Sequence, residues 1–152
     1  MRTAMIRRLP ALALAAVLAA CGGNATVPEN HFYRLEVTPP EAPGNRLMAG
    51  VLEVDRLLAA GELTQRSIVY RRADNPHQLQ AYHYHFWNEA PGVLLQAELV
   101  NYLRAAGIAG TVVTPEMRAR PDFAITGRVE KLERVIGGSN AGVIEMNLVL
   151  RR

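Results

Sequence analysis

The sequence predicts an α+β fold, a mostly antiparallel sheet with one main helix packed on one face. Short stretches in which apolar and polar side chains alternate recur along the chain, whereas a single segment carries apolar residues at helical spacing. Proline and glycine clusters separate these segments. Strands gathered around one helix suit two packed layers, because each element must bury its apolar side against another.

The elements follow in order. Phe32 to Val37 alternates and stops at Pro39-Pro40, where proline has no N–H to offer a ladder. Val51 to Leu58 reads as a second strand, and the stretch Ala59 to Thr64, with Gly61, reads as a loop. Arg66 to Arg72, built on Ile68-Val69-Tyr70, is a third strand. Asp74-Asn75-Pro76-His77 is a turn cluster, so the third strand and a fourth, Leu79 to Trp87, form a hairpin. Pro91 opens the helix. Leu95, Leu99, Tyr102, Leu103 and Ala106 fall on one stripe, Gln96, Asn101 and Arg104 lie away from it, and Gly107 ends the segment. Burial of the four large members would contribute roughly 6 to 12 kcal/mol gross, an upper bound because an unfolded chain is already partly collapsed.

Thr111 to Val113 is a fifth strand, Pro115 to Arg120 a connecting turn, and Phe123, Ile125 and Val129 mark a sixth strand. Gly137-Gly138-Ser139-Asn140 reads as a hairpin loop. In the last strand Ile144, Met146, Leu148 and Leu150 alternate with Glu145, Asn147 and Val149. That strand closes at Arg151-Arg152 with nothing in the sequence to pair or cap it, and an exposed apolar edge is an association hazard.

The amino terminus has a different character. Arg2, Arg7 and Arg8 precede Leu9 to Ala20, a stretch of 12 residues without charge. A cationic start and a short apolar core form the layout of an export signal, and the run falls short of the about 20 residues of a membrane span. Residues 1–20 are therefore expected to be a removed signal peptide. Leu18-Ala19-Ala20-Cys21 resembles the lipobox of bacterial lipoproteins, in which the cysteine thiol takes a diacylglycerol group before cleavage. Cys21 is then the lipidation site. It is the chain's only cysteine, so no internal disulfide competes for it. The other reading is an ordinary secretory signal with a leftover cysteine. An acyl chain contributes about 0.8 kcal/mol per buried methylene, so one chain holds marginally and two or three hold firmly.

Residues 21–31 read as the acylated cysteine and a flexible tether, whose ten residues after Cys21 reach roughly 33 Å extended and about 17 Å as a coil. Residues 32–152 are the size of one domain. The chain has 17 basic and 14 acidic residues, but three of the basic ones precede Cys21, so the remainder is neutral. That argues against a nucleic-acid partner and against a polybasic membrane patch.

Chemistry-bearing patterns are sparse. No G-x-S-x-G elbow, phosphate loop or H-E-x-x-H occurs, and the one thiol is assigned to lipid, so no catalytic residue and no cofactor is expected. His83 and His85 share one face of the fourth strand, with His77 upstream, yet no neighbouring Cys, Asp or Glu completes a zinc set, so no metal is expected. Glu130, Lys131 and Glu133 read as a solvated edge. Six of the nine aromatics lie between positions 70 and 102. Alternation sets Tyr82, Tyr84 and Phe86 opposite His83, His85 and Trp87, which makes both faces of that strand bulky. One face meets the helix. The other is either covered by a second layer or forms a partner or lipid contact made of Tyr70, Tyr82, Tyr84, Phe86 and Trp87.

Phe32-Tyr33-Arg34-Leu35, the Arg56 to Arg71 stretch, the Tyr82 to Pro91 stretch and the following helix, behind a lipobox, resemble the ABC-type transport auxiliary lipoproteins. The resemblance runs from about Cys21 to Arg134. It implies a periplasm-facing, non-catalytic lipoprotein that assists lipid movement between two membranes. The implied partners are a mammalian-cell-entry-domain protein and the ABC permease and ATPase of the same system. Gly22 after Cys21, where inner-membrane retention uses aspartate, implies sorting to the outer membrane. Relatives continue with a further strand and helix after the strand corresponding to Val143 to Leu150, so a C-terminally short chain is expected, with edge protection and homo-oligomeric assembly left open. The two rival readings are a lipid-binding lipoprotein and a structural lipoprotein of an outer-membrane translocon or secretion complex.

Overall fold

The computed structural model describes residues 27–41, 46–138 and 140–152. The signal segment, Cys21 and the first part of the tether lie outside the described residues. The elements are β1 (His31–Tyr33), β2 (Val51–Val54), β3 (Ser67–Arg72), β4 (Asn75–Trp87), α1 (Pro91–Ala105), β5 (Thr111–Val113), β6 (Phe123–Ile136) and β7 (Ala141–Arg151). Turns of 3-10 helix stand at Gly61–Thr64 and Pro115–Met117. No helix among the described residues is long and apolar enough to cross a membrane.

All seven strands join one sheet organised on β6. Along one edge β6 pairs antiparallel with β7, from Ala124 opposite Arg151 to Val135 opposite Ala141. Along its other edge it takes two partners in tandem. β2 runs parallel to its first part, Leu52 opposite Phe123, and β3 runs parallel to its last part, Val69 opposite Glu133. β5 extends the sheet beyond β2, and β4 followed by β1 extends it beyond β3. One helix on a mixed sheet is an α+β fold, as the sequence predicts. The antiparallel pairs β3–β4 and β6–β7 hold the longest registers, and four shorter pairs run parallel. Parallel neighbours need crossover connections, and alternation within a segment does not report which strand lies beside it.

Several boundaries differ from expectation for identifiable reasons. β1 ends at Tyr33 instead of continuing to Val37, because the chain turns toward the helix, where the Val37 N–H donates to Glu98 Oε2 at 2.9 Å. β2 ends at Val54, but the chain stays on β6 through Asp55 N–H to Ile125 O (2.8 Å) and Leu58 N–H to Gly127 O (2.9 Å). β4 begins at Asn75 because Arg72 pairs with Asn75, which confines the turn to Ala73-Asp74. Arg72 grips that turn, its Nε and Nη2 each 2.9 Å from the Asp74 carboxylate, and this bonding holds the Asp74 carboxyl below the usual carboxylate range.

Helix α1 begins at Pro91 as expected, and most of the expected stripe packs inward: Leu95 and Ala106 are buried, and Leu99 and Leu103 pack against the core. Leu94 and Val100 widen the buried side beyond that stripe, whereas Tyr102 is 40% exposed. Gln96, expected on the outer side, is buried, and its Nε2 donates to Val54 O at 2.9 Å. An amide can enter an apolar layer when it satisfies a carbonyl that the sheet leaves open. The helix seals two clusters: Leu52, Val54, Val100 and Val112 near β5, and Leu57, Leu95, Val129 and Leu132 under its first turns.

One close approach sets the helix on the sheet, and one ion pair ties two strands beneath it. A Cβ at Gly92 would lie 2.3 Å from Leu57 O, so only glycine lets α1 rest on that backbone. On the sheet itself, Arg71 Nε donates to Glu133 Oε1 at 2.6 Å, which neutralises a carboxylate on β6 that is otherwise buried.

Gly92→Ala is expected to cost about 1–3 kcal/mol through overpacking, read as a lowered urea midpoint at unchanged slope. Gln96→Leu is expected to cost about 1–3 kcal/mol although it is more apolar, because Val54 O loses its donor. A Gln96→Leu chain as stable as the parent would show that this bond carries no net stability.

Candidate functional site: an aromatic strand and the cleft beside it

The aromatic residues of β4 do not keep strict alternation. A register shift between Ser67 and Val69 distorts the pairing of β3 with β4. Tyr82 and His85, expected on opposite faces, consequently meet edge to face with ring centroids 5.3 Å apart. Around them runs a continuous group of rings. Tyr70 packs on Tyr82 at 4.4 Å, His31 stacks on His85 at 5.1 Å, and the Tyr33 hydroxyl lies 2.8 Å from His85 Nδ1. Arg134 Nη1 donates toward the Tyr82 hydroxyl at 3.5 Å.

The structure thus brings Tyr70 and Tyr82 together and separates the other expected contact residues. Tyr84 is 43% exposed and stands beside His83. Phe86 packs near Phe32, over which Arg66 places its guanidinium at 5.7 Å. Trp87 is half-buried against the cluster of Leu57, Leu95, Val129 and Leu132. Its Nε1 and Asn88 Oδ1 are buried without hydrogen-bond partners among the described residues.

Sequence reading missed His31, Tyr33 and Arg134. The first two arrive because β1 lies parallel to β4 with His31 opposite His85, and Arg134 arrives because β3 lies beside β6. The i, i+2 spacing of His31 and Tyr33 was the available signal, since it sets both on one side of a strand. For metal binding, His85 Nδ1 is engaged by Tyr33, and no group of three His, Cys, Asp or Glu residues among the described residues is placed to hold an ion.

Two hollows meet at this point. One, of about 320 Å³, has walls of Leu35, Ile68, Trp87, Leu132, Val143 and Ile144. The other, of about 190 Å³, is lined by Tyr33, Ile68, Tyr82, His85 and Arg134. Ile68 and Arg134 belong to both, so an apolar cleft opens onto a polar aromatic mouth. Glu133 also lines the cleft, with its carboxylate held by Arg71. A larger hollow, about 650 Å³, is an open dent between Asp55, Arg56, Arg128 and Glu130. Its charged, shallow walls make it a poorer enclosure for a ligand than the cleft.

The family model for the ABC-type transport auxiliary lipoprotein component matches residues 33–152, and the chain belongs to that family. The family is an auxiliary part of ABC-type transport, and its lipoprotein character implies a membrane-anchored place in the cell envelope. No curated protein matches the chain. A crystal structure of a Xanthomonas campestris protein of family DUF330 superposes with a TM-score of 0.65 at 24% identity, covering 78% of this chain and 66% of that one. A second, described only as an uncharacterized protein, gives a TM-score of 0.58 at 19% identity, covering 82% of this chain and 76% of that one. Both share the fold, and the match spans just under two thirds of the Xanthomonas chain.

Tyr33→Phe is expected to cost about 0.5–1.5 kcal/mol and to speed amide exchange in β1 selectively. Exchange at Phe32 and Tyr33 that is no faster in the variant would show that the hydroxyl does not hold β1 to β4.

Proposed function

We propose that the chain is a non-catalytic outer-membrane lipoprotein, anchored through Cys21, that serves as auxiliary component of a mammalian-cell-entry-type system moving lipid between two membranes. The observation that carries this reading is the family match over residues 33–152, joined to a lipobox-like sequence ending at the chain's single cysteine. Residues 1–20 are the signal peptide, residues 21–31 the acylated tether and residues 32–152 the auxiliary domain. ATP hydrolysis belongs to the partner ATPase, because this chain carries no nucleotide motif. Gly22 favours the outer membrane. The mammalian-cell-entry protein and the permease dock along β4, through the exposed Tyr84 and its strand neighbour Phe86.

Two experiments test the parts separately. Palmitate labelling is expected to mark the parent chain and to leave Cys21→Ser unmarked, and an unlabelled parent removes the anchor. Tyr84 is the better docking probe than Trp87, because it is exposed and its loss leaves the core intact. Tyr84→Ala is expected to reduce recovery of the mammalian-cell-entry component at least several-fold, with acylation and thermal midpoint unchanged. Full recovery would reject β4 as the docking side.

A further inference from the structure

We propose that this chain itself binds a phosphate-headed, single-chain amphiphile, with the hydrocarbon chain in the cleft between Leu35, Trp87, Leu132 and Ile144 and the phosphate at Arg134. The cleft and the mouth ask for opposite chemistries at one junction. Nearly all of the cleft's side chains are hydrocarbon, and the single carboxylate there, Glu133, is already neutralised by Arg71. The mouth holds two phenols, an imidazole and a guanidinium within a space of about 190 Å³.

Arg134 makes no ion pair among the described residues, and its one polar side-chain contact is the long 3.5 Å approach to Tyr82. A guanidinium left without a carboxylate, beside the Tyr82 hydroxyl that accepts from it and keeps its own proton to donate, suits an oxyanion with several acceptor oxygens. Phosphate offers more such oxygens than carboxylate, which decides the headgroup. Ile68, shared by the two hollows, stands where head and chain would join. The cleft, at about 320 Å³, lies at the small end of ligand pockets and admits one chain, not two.

This goes beyond the docking role, which requires no ligand in the chain at all. The two fail separately: co-purification reads docking, and titration of the isolated chain reads this site.

Trp87 is the only tryptophan and lines the cleft, so its emission reports occupancy. The full chain carrying Cys21→Ser, purified without detergent, is titrated with dodecyl phosphate below its micelle-forming concentration. Saturable, blue-shifted Trp87 emission is expected. Arg134→Gln is expected to weaken binding of dodecyl phosphate at least tenfold while changing that of neutral monolaurin less than threefold. Gly142→Leu provides a second variant, because Gly142 lines the cleft opposite Arg134 and a Cβ there meets nothing within 4 Å, so the backbone admits a side chain that reaches into the cleft space. It is expected to abolish saturation at an unchanged thermal midpoint. Absence of a saturable change in the parent, equal affinity for monolaurin and dodecyl phosphate, or an Arg134→Gln chain that binds dodecyl phosphate normally each overturns the proposal. Dodecanoate binding as tightly as dodecyl phosphate overturns the phosphate assignment.

Discussion

Strand β6 is the constraint on which the structure rests. It offers one edge wholly to β7 and divides the other between β2 and β3, so that two short parallel strands stand end to end against one long strand. Everything else is attached through them: β5 to β2, and β4 with β1 to β3. The helix lies over the region where the two halves meet, with Leu95 against Leu57, Val129 and Leu132. Chain between β2 and β3 cannot form a hairpin, since both strands must run the same way. It bridges by staying hydrogen-bonded to β6 as far as Leu58 and then passing through the turn at Gly61–Thr64.

This arrangement explains which parts of the fold were legible in the sequence. Local signals sufficed where the partner is local: Asp74 beside Arg72 marks a hairpin, Pro91 marks a helix start, and the alternation from Ile144 to Leu150 marks a strand. They failed where the partner is remote. Nothing around Val51 or Val69 says that both will lie parallel to β6. The helix showed the same limit. A stripe of apolar residues found the axis of α1, but Gln96 faces inward because Val54 O needs a donor, and hydropathy does not register a carbonyl 42 residues away in sequence. Tyr102, apolar by type, was left half outside.

The candidate site divides in the same way. The density of aromatics from Tyr70 to Trp87 pointed to β4, whereas the distribution of those rings depended on a register shift that alternation cannot foresee. The shift turns Tyr82 toward His85 and away from a purely apolar layer. The polar half of the mouth is then assembled by three separate strands, β1, β4 and β6, with Tyr33, His85 and Arg134 brought together across about a hundred positions of sequence. The apolar half is the remainder of the second core, where β7 and the segment after β1 cover it incompletely.

The order of synthesis adds a consequence. Strands β1 to β5 and the helix all leave the ribosome before the strand that must unite them, so the emerging chain has no template on which to complete its sheet. A hairpin from β3 and β4 alone is marginal in water, and the helix has no finished surface to cover. A polypeptide whose organising strand comes late cannot close its sheet until most of its length has been made.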